Sequence, residues 1–226
     1  MSGPDPLCTL PPRAVIFDCD GVLVDSEPIT NGVLSQMLVE LGLDFDLHRT
    51  METFMGRSLK DEMAAIERMI GRPLPGDWHP QFVRRRDAAL AASVGAVPGV
   101  RAVVQRLVAL DLPFAVASGA DCAKMRLTLG RCGLLPFFEG RMFGADMVAQ
   151  PKPAPDVYLL ALQSLGIPPE GAIVIEDTPT GTRAGVAAGA TVYGLTTLNR
   201  PAALLDAGAS LTFEHMGQLP ELLRLG

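Results

Sequence analysis

The sequence predicts an α/β fold: a Rossmann-like parallel sheet core with an inserted all-helical cap domain. Three observations predict it. Short apolar runs alternate with amphipathic helical patterns along most of the 226 residues. Several of those runs end in acids, a hydroxyl or glycine, as strands do where an open parallel sheet opens into a site. Between the first and second runs, residues 28–95 contain no convincing strand. The expected division is a catalytic core of residues 1–27 and 96–226, with residues 28–95 as a helical cap over the site.

The elements follow in order. Strands are expected at 14–17, 114–118, 141–143, 172–176 and 191–194, with helices between them near 100–110, 122–132, 155–165 and 181–188. In the helix at 100–110, Val103, Val104, Leu107 and Val108 have the spacing of a buried face. Tyr158, Ala161, Leu162 and Leu165 do the same at 155–165 and read as core. Gly181, Ala184, Gly185 and Ala188 form a small-residue face suited to close packing on the sheet. In the insert, Val33, Leu34, Met37, Leu38 and Leu41 make one amphipathic stripe. Further helical segments are expected at 59–70 and 78–92, with Trp78 in cap packing.

Composition narrows the function. An apolar fraction of 48% is ample for a packed core, and the net charge of −6 is interspersed. That balance argues against a nucleic-acid surface. Cys8, Cys19, Cys122 and Cys132 show no C-x-x-C spacing and read as reduced thiols in a cytoplasmic protein. Cys19 is expected to be buried, facing away from its acidic neighbours. Residues 1–12 are proline-rich without an apolar signal region, and read as a loose leader. No apolar run reaches the ~18 residues of a membrane span, so no membrane partner is expected.

Four stretches carry chemistry. Val15-Ile16-Phe17-Asp18-Cys19-Asp20-Gly21 runs an apolar strand into two acids at i, i+2, which face the same side of an extended chain. Two acids held together suit divalent-metal binding and divided nucleophile and acid/base roles. Phe114-Ala115-Val116-Ala117-Ser118-Gly119-Ala120 ends a strand where Ser118 and the amides of Gly119 and Ala120 can hold an oxyanion. Gln150-Pro151-Lys152-Pro153-Ala154-Pro155 frames Lys152 in prolines, which stiffen the loop. Ile173-Val174-Ile175-Glu176-Asp177-Thr178 is a second strand-to-acid junction, with a helix cap at Asp177 or Thr178. Converging Asp18, Asp20 and Asp177 repel one another, and a phosphate dianion adds to that repulsion. Mg²⁺ with Lys152 supplies the positive charge that resolves it.

Taken together, these stretches resemble the haloacid dehalogenase-like superfamily over the whole chain. The match is closest to its β-phosphoglucomutase-like and sugar-phosphatase branch, with the helical insert resembling a C1-type cap. The resemblance implies Asp18 as nucleophile and Asp20 as acid, then base. It implies Ser118 and Lys152 on the phosphoryl oxygens. For Mg²⁺ it implies Asp18, the backbone carbonyl of Asp20, and Asp177 as ligands, with Glu176 in or near the shell. Asp20 argues for phosphate esters, because the dehalogenases of the superfamily lack an acid there and a leaving alkoxide needs a proton.

The expected activity is hydrolysis of small phosphorylated metabolites, sugar phosphates or 6-phosphogluconate, by a monomer or weak homodimer. A mutase of the β-phosphoglucomutase type is the alternative. It is disfavoured because Asp25-Ser26-Glu27-Pro28-Ile29-Thr30 has no histidine, and the mutase's cap arginine falls on Leu59. A phosphoaccepting receiver is ruled against by length and by the insert, and a non-catalytic sugar-phosphate sensor by the intact acids. Arg57 and Lys60 are the expected cap specificity residues. Arg84, Arg85 and Arg86 read as a solvated helical face, and His48, His79 and His215 lack metal-ligand spacing.

Overall fold

The computed structural model describes residues 11–55 and 59–225. Six strands follow in chain order: β1 (Ala14–Phe17), β2 (Phe114–Ala117), β3 (Met142–Phe143), β4 (Ala172–Glu176), β5 (Thr191–Leu195) and β6 (Leu211–Phe213). They form one parallel sheet in the order β3-β2-β1-β4-β5-β6. The order reverses between β1 and β4, and an open α/β sheet splays there to leave a crevice at the strands' carboxyl ends.

The insert between β1 and β2 holds α1 (Glu27–Glu40), α2 (Leu47–Phe54), α3 (Leu59–Ile70) and α4 (Trp78–Ser93). The remaining helices are α5 (Val100–Ala109), α6 (Cys122–Arg131), α7 (Leu135–Phe138), α8 (Asp156–Leu165), α9 (Pro179–Ala187), α10 (Pro201–Asp206) and α11 (Leu219–Leu222). The short helices α7, α10 and α11, strand β6 and helix α2 had little signal in the sequence. β6 has three residues, too few to show a period, and α2 buries only Thr50 and Phe54. The start of α2 is nonetheless capped by Asp46, whose carboxylate accepts the Arg49 N–H at 2.7 Å.

Alternation in the strands separates two cores. Val15 and Phe17 pack with Phe114, Val116, Ile173 and Ile175 beneath residues of α5 and α6. Ala14 and Ile16 face the other way, with Ala115, Ala117, Val174 and Val192 against α8 and α9. The strands are thus buried on both faces, which is why they read as unbroken apolar runs. Cys19 lies in the first core. Val103, Val104 and Leu107 are buried as the helix period requires, but Val108 is exposed. It stands on the outward edge of the α5 stripe.

The insert has an apolar core of its own. Val33, Leu34, Met37 and Leu38 of α1 meet Phe54, Ile66, Trp78 and Phe82. The Trp78 and Phe82 rings stack at 5.7 Å. Among the described residues no helix is long and apolar enough to cross a membrane.

Candidate active site

The site is built on the β1–β4 seam. Asp18 N–H donates to the Ile175 carbonyl at 2.9 Å, so the ladder continues one residue past β1. That bond sets Asp18 beside the two acids that end β4. On the other side, Ser118 N–H reaches the Phe143 carbonyl at 2.9 Å, which carries β2 one residue further. Asp18, Asp20, Ser118, Gly119, Ala120, Lys152 and Glu176 all line one cleft of about 290 Å³.

Lys152 is the electrostatic centre. Its Nζ lies 2.6 Å from Asp18 Oδ1, and 2.8 Å from both Glu176 Oε1 and the Tyr158 hydroxyl. Tyr158 donates in turn to Glu176 Oε1 at 2.9 Å. The sequence reading placed Tyr158 in the core without a role. Its ring is buried there, but the hydroxyl holds the charged pair. The signal was available, since a buried phenol among apolar neighbours needs a partner.

Glu176 is taken up by the protein. Beyond Lys152 and Tyr158, its Oε2 accepts the N–H groups of Asp177 and Thr178 and the Thr178 hydroxyl, at 2.9 to 3.0 Å. A carboxylate has about four lone-pair sites, so none is left for a cation. Glu176, expected in or near the metal shell, here anchors Lys152. Gly181 makes this possible, because a Cβ there would fall 1.6 Å from Glu176 Oε1. Thr178 also caps α9 by accepting Gly181 N–H at 3.0 Å.

Asp177 is the opposite case. Both carboxylate oxygens are buried and neither has a hydrogen-bond partner. Asn199 holds its backbone carbonyl at 2.8 Å. A Cβ at Gly21 would lie 2.1 Å from Asp177 Oδ2, so only glycine admits the turn after Asp20 against that acid. Burial, then Glu176 and Asp18, push the Asp177 carboxyl well above the usual carboxylate range. Burial likewise pushes Asp18 up to about 7; Lys152 opposes the rise, and Glu176 and Asp20 add to it. An unpartnered buried acid beside Asp18 fits a cation bound between the two. Among the described residues no three His, Cys, Asp or Glu side chains form a metal cluster by themselves. The resemblance implies Asp18, the Asp20 carbonyl and Asp177 as ligands, with Glu176 in or near the shell, and two carboxylates with a carbonyl do not require such a cluster.

Asp20 is held separately. Its Oδ1 accepts a hydrogen bond from the Ser26 hydroxyl, and its Oδ2 pairs with Lys124 Nζ at 2.9 Å. Burial pushes Asp20 up, but Lys124 and Ser26 more than offset this and hold it below the ordinary carboxylate value. Neither partner was assigned a role from sequence. Ser26 sits inside the Asp25-Ser26-Glu27 motif, whereas Lys124 lies in an ordinary helical stretch with no motif around it.

The other sequence-expected residues divide. Ala120 lines the cleft, and its N–H donates to Ser118 Oγ at 3.1 Å. Asp121 caps α6. Arg57 lies outside the described residues. Lys60 lines a separate groove with Met63, Glu67 and His79, whereas Leu59 and Glu62 of the same helix reach the cleft. The solvated-face expectation for Arg86 is corrected. Arg85 pairs with Glu40 at the surface, but Arg86 is 9% exposed, lines the cleft and bonds Asp87 Oδ1 at 2.8 and 2.9 Å. Successive helical residues point ~100° apart, so a run of three arginines cannot share one face.

Comparison with known proteins agrees with the fold and the motifs. A family profile described as haloacid dehalogenase-like hydrolase matches residues 12–189. The chain is 28% identical to the 6-phosphogluconate phosphatase of Escherichia coli over 211 residues, covering 93% of this chain and 94% of that protein. It is 30% identical to a phosphorylated carbohydrates phosphatase of Thermotoga maritima over 202 residues, 87% of this chain and 92% of the other. The crystal structure of a HAD family hydrolase from Deinococcus radiodurans, with bound phosphate and sodium, superposes with a TM-score of 0.81 at 34% identity, covering 96% and 97% of the two chains. The chain belongs to the haloacid dehalogenase-like hydrolase family.

Proposed function

We propose that this protein is a Mg²⁺-dependent phosphatase of small phosphorylated sugars, working through a phosphoaspartate on Asp18. The observation that carries the reading is the pairing of Asp18 with Lys152 beside an Asp177 carboxylate that has no partner in the protein. Asp18, the Asp20 carbonyl and Asp177 would hold Mg²⁺, which when bound would neutralise charge between the nucleophile and the phosphoryl group. Relatives named for 6-phosphogluconate and phosphorylated carbohydrates support the substrate class.

The residues divide the chemistry as follows. An Asp18 oxygen attacks phosphorus, and the bond from phosphorus to the sugar oxygen breaks. That oxygen takes a proton from Asp20. Water then attacks the phosphoaspartate, gives a proton back to Asp20, and phosphate departs with Asp18 restored. Asp20 rests as the carboxylate, and the negative charge of the arriving phosphate raises it toward the acid form. Lys152, fixed by Glu176 and Tyr158, and the Ser118 hydroxyl bind the phosphoryl oxygens. Residues 28–95 act as a cap, whose own apolar core lets it move as a unit over the cleft.

A panel of phosphorylated metabolites tests this, with phosphate release followed in Mg²⁺, in excess chelator and in Ca²⁺. Release in Mg²⁺ alone is expected, because Ca²⁺ takes more ligands at longer distances. Full activity in chelator overturns the reading. β-Glucose 1-phosphate should yield phosphate without accumulating glucose 6-phosphate. Isomerisation dependent on glucose 1,6-bisphosphate would favour the mutase instead.

A further inference from the structure

We propose that Lys124 is a positioning residue for Asp20, and that it sets how well the enzyme expels poor leaving groups. The inference rests on the reading of Asp20 as the proton carrier. Lys124 touches neither the nucleophile nor Lys152 in the hydrogen bonds of the site; its ammonium is directed at Asp20 Oδ2, 2.9 Å away. Both side chains are largely enclosed, at 10% and 17% exposure.

The geometry fixes the carboxylate plane. A carboxylate anchored at one oxygen can still turn about its last torsion. Asp20 is anchored at both, and from two different elements: Ser26, just before α1, takes Oδ1, and Lys124 of α6 takes Oδ2. The backbone that carries Lys124 is held in place. Its own N–H is held by Asp121 at 2.7 Å, and the next residue, Met125, is fully buried in the core beneath the sheet. Thr128, one turn on, donates to the Lys124 carbonyl at 3.0 Å. Proton delivery demands a donor within ~3.2 Å of the leaving oxygen in the right direction, so a carboxyl free to turn is a poorer acid.

The chemistry gives this role a signature. When the phosphorus–oxygen bond breaks, the electron pair stays on the leaving oxygen. A sugar alkoxide needs the Asp20 proton at that moment; p-nitrophenolate is stable without it. kcat/KM reports events only through departure of the leaving group, so later hydrolysis of the phosphoaspartate does not enter. A lysine that merely supported the fold would lower both rates alike, and one that bound the sugar would act through KM for the sugar phosphate with kcat unchanged.

The test measures kcat/KM for wild type, Lys124→Met, Lys124→Arg and Asp20→Asn. The two substrates are the sugar phosphate that wild type turns over fastest and p-nitrophenyl phosphate. Lys124→Met should lose about 30-fold or more on the sugar phosphate and no more than ~3-fold on p-nitrophenyl phosphate, less than the roughly 10²–10⁴-fold of proton transfer lost outright, because Asp20 itself remains. Lys124→Arg should recover most of the sugar-phosphate rate. Lys124→Gln should show the same split in weaker form, and stands in if the methionine variant does not fold. Equal losses on both substrates, no loss on either, or a rise in KM for the sugar phosphate with kcat unchanged would each overturn the proposal. Asp20→Asn separates the two levels. If it shows the split and Lys124→Met does not, only the role of Lys124 falls. If Asp20→Asn shows no split, the acid/base reading of Asp20 falls with it.

Discussion

The two walls of the cleft are built differently. On the sheet side, Asp18, Ser118, Glu176 and Asp177 sit at strand ends, one residue or less beyond a backbone ladder. Their positions follow from the register, and the charges are buried and interlocked around Lys152. On the insert side, Glu27, Asn31, Leu59 and Arg86 reach the cleft from helices that share a separate apolar core. Their positions depend on how each helix is rotated. The sheet side is thus suited to holding one invariant group, the phosphoryl. The insert side is suited to reading the rest of the substrate.

The strongest way to break this contrast is Asp18→Asn. Turnover should fall by at least ~10⁴-fold, since a carboxamide cannot form the phosphoaspartate. In chelator above pH 7 the variant should melt no lower than wild type, because the fold already resists an ionised Asp18. A variant retaining a tenth of the wild-type rate would remove the covalent step.

Lys152→Ala tests the interlocking itself. Removing the cation leaves Asp18 and Glu176 buried without their partner. A loss of about 3–5 kcal/mol in unfolding free energy is expected, the range for a broken buried pair. A urea titration at neutral pH measures it. A loss under 1 kcal/mol would mean that the sheet side is less tightly coupled than its distances indicate.

The pH dependence sharpens the same point. Asp18 is pushed up to about 7 from the ordinary 3.8 of an aspartate, and Asp177 is also raised. A raised carboxyl favours the folded state fully below its unfolded value, and that benefit is lost as pH climbs through the folded value. In chelator, stability should therefore fall between about pH 4 and pH 7. Asp20 and Glu176 are shifted down, so their contribution is present above the unfolded values and lost only in stronger acid. Saturating Mg²⁺ should flatten the fall by stabilising the ionised acids. Urea melts from pH 5 to 8 with and without Mg²⁺ decide this, and a metal-independent profile would count against a cation at Asp177.

The insert side should respond more mildly. Arg86→Ala should lower kcat/KM for the preferred sugar phosphate by about 1–2 kcal/mol, mostly through KM. The effect on p-nitrophenyl phosphate should be smaller, because that ester offers the insert little to hold. Equal losses on both would place Arg86 in support of the fold, through its contact with Asp87. Lys60→Ala should change stability and kcat/KM by less than ~0.5 kcal/mol, as expected of an exposed side chain outside the cleft. A larger kinetic effect would return Lys60 to the substrate path.

By itself, the sequence determined the parallel sheet, five of its six strands, and the junctions carrying Asp18, Ser118, Lys152 and Asp177. These were legible because a strand buried on both faces is an unbroken apolar run, and a charge placed at its end has no structural purpose in the core. Strand β6 and helices α7, α10 and α11 escaped because three to six residues show too little of a period, and α2 because two buried positions in eight show no stripe. Only the tertiary structure decided which charges meet. Lys124 and Asp20 are 104 positions apart, as Lys152 and Asp18 are 134 apart, and nothing local to Lys124 marks it as a partner. It alone decided that Glu176 is saturated while its neighbour Asp177 is bare, and that Arg86 turns inward while Arg85 faces solvent. Those outcomes depend on the rotational phase of helices and on contacts between distant segments, which a linear pattern does not encode.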